Sequence, residues 1–440
     1  MHRALTSPFP EKRSPVAAAS RPRNVDAARV VALALLGIGI VACGDGEAQR
    51  DDKVSIAGIS GDTISVGALV PLSDAVALVG KPILAGQEAY FAQLNAEKGG
   101  VAGKYKVRII AEDVTYANPS TSVQKYNKLK DRVALFSMIL GTDHVNVTLP
   151  LLAEDNLLAL PTTMDAEWVR EPHLISVLAP YQIQMINGVD YWVSEGGGKG
   201  KKLCVLVMST GYGSAAEEGV IYGAKELGVP IAASATFRPG DQDFVAPITR
   251  LKNAGCQGVA LASLPTETAK IMGTASQLGF SPRWIATAPS WHVVLGGSPI
   301  ADYATKNLWL ASEGTEWGDT TAVGMRNMQR ALQQYAPNQK IDPYFMVGYI
   351  FASTVGAVLE KAAAGGDLSR AGLATALTSL GTVSLGGLSG DYQYGPIESR
   401  QPPRGISIFS IDPSRDGGQA LVKHNHISGA ARKFPFVKRR

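Results

Sequence analysis

Short, nearly unbroken apolar runs alternate along this chain with longer stretches of helical period, and the alternation starts at Ile64. Ile64 to Val70 (ISVGALV) reads as a strand buried on both faces, because it lacks the apolar-polar alternation of a half-exposed one. A small-residue loop, Pro71 to Lys81, leads into an amphipathic helix over roughly Pro82 to Glu97 and a turn carrying Gly99, Gly100 and Gly103. The next strand, Lys106 to Ala111, ends at Glu112-Asp113. A right-handed crossover through the helix makes the two strands parallel. In open α/β sheets ligands lie outside the carboxyl ends of the strands, so the loop 71–81 is expected to face one.

The pattern then repeats. A helix over Thr121 to Asp131 precedes a strand, Val133 to Leu140, which ends in Gly141-Thr142-Asp143-His144. A helix over Val145 to Asp155 precedes a short strand, Leu157 to Leu160, which ends in Pro161-Thr162-Thr163-Met164. Loops 71–81, 141–146 and 161–168 therefore gather on one edge of one sheet. After a crossing segment at Ile175 to Tyr181 the alternation restarts, with strands at 202–208, 231–237, 258–262 and 284–287. Their ends deliver Tyr212, Ser263-Leu264-Pro265-Thr266, and Ala288 to His292. Two rounds of alternation predict an α/β protein of two doubly wound parallel-sheet lobes. Leu308 to Ala311 reads as a strand or a crossover. Helices follow at 321–335, 343–364 and 373–380, and short strands at 385–394 and 406–411. Residues 413–440, Gly-rich and then basic, read as a loosely packed extension.

Composition adds an address. Of the 42 Lys/Arg and 38 Asp/Glu, six and two lie in the first 42 residues, which leaves 36 of each sign. A neutral remainder argues against a nucleic-acid partner or a broad membrane-surface one. Arg29 precedes an apolar run of 13 residues, Val30 to Ala42, too short to span a bilayer core of about 30 Å and suited to a secretory signal. Ile40-Val41-Ala42-Cys43 resembles a bacterial lipobox, which implies cleavage before Cys43 and a lipid on its thiol; 43–61 then reads as a tether. Two further cysteines, Cys204 and Cys256, show no metal spacing. They form a bridge if their strands are neighbours in an oxidising compartment, or stay as two buried thiols.

No catalytic motif, metal cluster pattern or cofactor is expected: G-x-S-x-G, H-E-x-x-H and the P-loop are missing from the sequence. Gly211-x-Gly213-x-x-Ala216 satisfies a dinucleotide pattern after a strand, and Arg238 at the next strand end suits a 2′-phosphate. An NADP-dependent oxidoreductase is therefore a remote alternative, which the export signal opposes.

The stretch Ile64 to Asp113, with Leu140-Gly141-Thr142, Tyr212-Gly213, Phe237 to Phe244 and Leu251 to Gly255, resembles type I periplasmic solute-binding proteins. More narrowly, it is similar to the branched-chain amino acid binding group of ABC uptake systems. The resemblance spans about 60–410. It implies lobe 1 from 62–178 plus 310–384 and lobe 2 from 180–305 plus 388–412. The three hinge crossings would lie near 176–182, 303–311 and 382–390. It also implies a small-molecule ligand trapped by cleft closure, a membrane ABC permease as partner, and a monomer. A ligand-sensing lobe for a signalling partner is the alternative within the same fold.

In that family the first lobe grips a ligand carboxylate with hydroxyls and helix N-terminal N–H groups, which are orphan donors at the positive end of a dipole. Thr142, Asp143, His144, Thr162, Thr163 and Met164 occupy the matching strand ends. Asp143 repels an anion, so capping of helix 145–155 is its other reading. His144 is a donor to ligand or an ordinary loop histidine, and Thr162 and Thr163 are contacts or an ST-turn. In the second lobe Tyr212 matches a site tyrosine, with a packing role as the alternative. Ser263, Leu264, Thr266 and Ser290 follow strand ends, and Trp291 floors an apolar pocket or is a structural Trp. Val79 stands where many relatives carry an aromatic. No acid for a ligand ammonium lies in Ala288 to His292, and an unpaired buried ammonium is costly. A carboxylate, amide or aromatic acid therefore fits as well as a leucine-like zwitterion.

Overall fold

Parallel pairing of buried strands builds two sheets. A computed structural model describes residues 56–437; the expected signal, Cys43 and most of the tether lie outside them. The first sheet contains β1 (Ile59–Ser60), β2 (Thr63–Val70), β3 (Lys106–Asp113), β4 (Phe136–Ile139) and β5 (Ala159–Pro161). Between them run α1 (Ala77–Glu97), α2 (Ser120–Leu129) and α3 (Thr142–Glu154). β2 lies between β3 and β4 and is parallel to both, which is why all but its first residue is buried. β1 folds back antiparallel on β2, so the tether reading ends before Ile59.

The second half has α4 (Tyr181–Ser194), β6 (Leu203–Met208), α5 (Gly211–Leu227), β7 (Ile231–Phe237), α6 (Val245–Asn253) and β8 (Gly258–Ala262). It continues through α7 (Pro265–Gln277), β9 (Arg283–Thr287), α8 (Ala301–Asn307) and β10 (Leu308–Ser312). β7, β6, β8, β9 and β10 pair in that order, all parallel. Leu308 to Ser312 is thus a strand inside the second sheet, and the chain leaves that sheet after Ser312 instead of over 303–311.

Three later helices return to the first sheet: α9 (Val323–Tyr335), α10 (Pro343–Ala364) and α11 (Arg370–Thr378). α10 packs along α1. The backbones meet because Gly86 and Gly348 lack a Cβ: one at Gly86 would lie 2.1 Å from the Phe345 carbonyl oxygen, and one at Gly348 2.0 Å from that of Ile83. α10 is long and apolar enough to cross a membrane by composition, yet 72% of that window is buried inside the protein, as in a core helix.

The chain ends through β11 (Thr382–Val383), β12 (Tyr392–Gln393), β13 (Ile406–Ile411), β14 (Gln419–His426) and α12 (Gly429–Lys433). β13 joins β10 antiparallel and β14 joins β13 antiparallel. α12 packs on α4 and α5, and Phe434 and Phe436 are buried. The Arg404 guanidinium donates to the carbonyls of Ala431 and Phe434 and stacks 4.3 Å from the Phe436 ring centre. Residues 413–437 are therefore a packed edge of the second sheet and not a loose extension. Their polar sequence reflects an edge strand, where charged residues block further pairing.

Cys204 on β6 and Cys256 just before β8 form a disulfide, with Cα atoms 5.8 Å apart, because β6 and β8 are neighbours. The bridge closes a sequence separation of 52 residues. Loop-closure entropy assigns such a bridge about 2–4 kcal/mol. Urea unfolding of a Cys204→Ala/Cys256→Ala variant should show a loss of that order, and reductant should move the wild type and leave the variant in place.

Candidate functional site

The carboxyl ends of β2, β4 and β5 face those of β6, β8, β9 and β10 across a gap. Carboxylates order the loops on the first side. Asp74 accepts N–H bonds from Val76 and Tyr116, both 2.8 Å, and Asp113 accepts one from Leu72 at 2.7 Å. The Asp74 carbonyl also accepts from Ala77 N–H. The helix accordingly starts at Ala77, ahead of the expected Pro82, and Val79 lies in its first turn, not in a loop.

A cavity of roughly 570 Å3, including its mouth, occupies the gap. Val79, Thr162, Thr163, Met164, Tyr212 and Leu264, all expected from the sequence, line it. Trp291 lines an adjoining cavity. Thr142 stands behind the wall, its hydroxyl 2.9 Å from that of Thr163, which also donates to the Tyr181 hydroxyl at 3.2 Å. The Thr162 hydroxyl oxygen is buried with no hydrogen-bond partner among the described residues.

Four expected residues turn away from the cavity, each because a neighbouring polar group satisfies it. His144 is buried between the Ser122 hydroxyl (2.6 Å) and the Tyr116 carbonyl (3.0 Å). Burial holds its pKa below the ordinary histidine value, so it stays neutral and fixes Tyr116. Ser263 pairs with the Thr268 hydroxyl at 2.6 Å, and the Ser290 hydroxyl accepts from the Ser263 N–H at 3.3 Å. Thr266 donates to Glu267 at 2.7 Å. Around them Tyr212 is held by the Thr287 hydroxyl (2.5 Å) and the Ser263 carbonyl (3.2 Å). Burial pushes its phenol up to about 12, so it remains a neutral hydroxyl.

Asp143 neither caps its own helix with its side chain nor touches the cavity. Its carboxylate crosses the gap and accepts the N–H of Gly211, the first residue of α5, at 3.0 Å. The approach is close: a Cβ at 211 would lie 2.5 Å from Thr142 Cγ2 and 2.8 Å from Asp143 Oδ1, so both side chains would have to shift. The carboxylate also meets the positive end of the helix dipole. A dinucleotide pyrophosphate would need that same helix end, so Asp143 opposes the oxidoreductase reading. Two more contacts cross the gap. Tyr344 donates to the Pro289 carbonyl at 2.9 Å, and His292 Nε2 lies 2.9 Å from Asp342 Oδ2.

Sequence reasoning missed Tyr116, Tyr181, Tyr344 and Glu313, all of which line the cavity. Glu313 follows β10, and the strand-end rule finds it once Leu308 to Ser312 is taken as a strand. Its carboxyl stands on the cavity wall, whereas Ala288 to His292 carry none. Gln184 donates to it at 2.6 Å while also bonding the Ala179 carbonyl and accepting from Ala288 N–H. Desolvation raises the Glu313 pKa from its ordinary value to about 7. Among the described residues, no Lys, Arg or His lines the cavity.

A family model described as "Periplasmic binding protein" matches residues 63–419. Among curated proteins, the Leu/Ile/Val-binding protein homolog 3 of Brucella melitensis is 23% identical over 349 residues, covering 73% of this chain and 86% of that one. Among solved structures, a fatty acid ABC transporter substrate-binding protein from Thermomonospora curvata aligns with a TM-score of 0.79 at 24% identity, over 86% of this chain and 95% of that one. A branched chain amino acid ABC transporter protein from Thermus thermophilus, with bound valine, aligns at 0.72 and 18% identity, over 85% and 99%. At these identities the solved structures establish the shared fold.

The raised pKa of Glu313 has a signed consequence for stability. Between the unfolded value near 4.5 and the folded value near 7, the native state holds a proton that the unfolded chain has lost. Glu313's contribution to stability therefore falls as pH rises through that window and levels off above it, opposite in sign to that of His144, whose lowered pKa favours the native state as pH rises. Glu313→Gln should remove the Glu313 contribution. The ligand-free variant should match wild type near pH 4.5 and exceed it at pH 8 by up to about 3 kcal/mol, read from denaturant midpoints.

Proposed function

This chain belongs to the periplasmic binding protein family and has the type I fold of two α/β halves, and we propose that it captures a small organic ligand by cleft closure and delivers it to an ABC permease. The ligand is a branched-chain amino acid or a related amide or carboxylate. Supporting this are the names of its relatives, which include Leu/Ile/Val-binding proteins and a fatty acid binder. The observation that carries the reading is the cavity itself, mostly apolar and walled from both sheets at their carboxyl edges. The first turn of α3 offers N–H donors to a polar head, and the tyrosines and Met164 cover an apolar body.

In this reading lobe 1 is 62–178 with the α9 to α11 segment. Lobe 2 is 180–312 with the strands from Ile406 onward. The lobes rotate about the three passages between them. The protein works in the periplasm or cell envelope as a monomer, held to the membrane by a lipid on Cys43. The Cys204–Cys256 disulfide supports an oxidising compartment.

Mass spectrometry of small molecules released from the purified, denatured protein should find one of this class. Calorimetry with leucine, isoleucine and valine then places or removes the zwitterions. A protein that releases nothing and titrates with no amino acid, amide or carboxylate would sink the proposal. Asp143→Ala removes a charge-assisted bond made only when the halves are together, worth about 1.5 kcal/mol or more. It should weaken the released ligand about tenfold in calorimetry while moving the unfolding midpoint little.

A further inference from the structure

At the start of α10 the gap is bridged by a buried pair that lines neither the cavity nor its neighbour. His292 follows β9 and belongs to the second half, and Asp342, the residue before α10, belongs to the first. His292 is 9% exposed and Asp342 3%. Parting the halves returns both side chains to water, so their burial is a property of the closed form.

Hydrogen bonds fix the direction of the contact. His292 Nδ1 accepts the Val294 N–H at 3.1 Å, so the ring proton of the neutral tautomer sits on Nε2, 2.9 Å from Asp342 Oδ2. The other carboxylate oxygen, Oδ1, accepts the Tyr344 N–H at 2.8 Å and caps α10. Each side chain thus has one atom tied to its own half and one reaching the opposite half.

Tyr344 ties the pair to the cavity. Its ring stacks on His292, with centres 5.8 Å and planes 26° apart, and its hydroxyl donates to the Pro289 carbonyl across the gap. Tyr344 and Pro289 both line the cavity. An occupant that packs on them steadies the two sides of the His292–Asp342 contact without touching it.

We propose that His292 and Asp342 are positioning residues for ligand capture: their hydrogen bond locks the halves together and sets how long a captured molecule stays. The lock rests on the cleft closure of the capture reading. Without its donor, Asp342 Oδ2 is left buried and unpaired in the closed form alone, so the loss falls on that form.

Conservative variants separate the lock from the local caps. His292→Asn reaches only as far as Nδ1, so it keeps the Val294 bond and gives up Asp342; His292→Gln reaches Nε2 and does the reverse. Asp342→Ser keeps a capping oxygen for α10 and loses the reach to His292. Amide exchange at Gly211 reads closure without any ligand, because that N–H bonds to Asp143 across the gap, far along the chain from either residue. Exchange there should quicken about tenfold in His292→Asn and in Asp342→Ser, the loss of one charge-assisted bond, and no further in the double variant. In His292→Gln it should stay within about threefold of wild type. The small molecule still recovered by denaturation after dialysis, read by mass spectrometry, should fall in the same order. Unchanged Gly211 exchange or undiminished retention in His292→Asn, equal quickening in His292→Gln, or additive effects in the double variant would overturn the proposal. A wild type that yields no small molecule counts against the capture reading and not against the lock, which Gly211 exchange decides.

Discussion

Parallel strand pairing is the constraint on which the rest of this molecule depends. Strands that run the same way deliver all their carboxyl-end loops to one edge. When two such sheets face each other, the loops of both meet in a single gap. Backbone donors at helix starts, hydroxyls after strand ends and the aromatic rings that shield them then converge from distant parts of the sequence. Asp143 and Gly211 show how close the approach is, since one hydrogen bond spans the gap and a single methyl group would displace the side chains there.

What the sequence made legible follows from how local each signal is. Thr162, Thr163, Met164, Tyr212 and Leu264 each follow an apolar run within a few residues, so their place at a strand end needed no tertiary knowledge. Glu313 was lost because its strand, Leu308 to Ser312, is too short for periodicity to separate from a crossover. Tyr181 and Tyr344 sit at the starts of α4 and α10, where the sequence reports a helix but not what the helix points at. His144, Ser263, Thr266 and Ser290 lie at the right strand ends yet face inward. Thr266 and Ser263 find their partners one and five residues on, whereas those of His144 and Ser290 lie 22 and 27 residues away, beyond the reach of a local pattern.

The site's electrostatics is one of withheld charge. Tyr181, Tyr212 and Tyr344 are buried, the neighbouring histidine is held neutral, and the Glu313 carboxyl gains a proton more readily than a solvated one. A cavity of this kind discriminates by pairing donors with acceptors and by covering apolar surface, so a mismatched polar group on a ligand is penalised more than a change of a methylene or two.

The second sheet has a consequence for how the chain assembles. β10 waits for β13, which arrives only after the chain has left to build the helices that cover the first sheet, and β14 comes later still. Neither half is a contiguous piece of sequence that closes on its own. Contacts of such long separation set a slow, late and shared folding step. A chain read from its amino end therefore stays open until its last strands emerge.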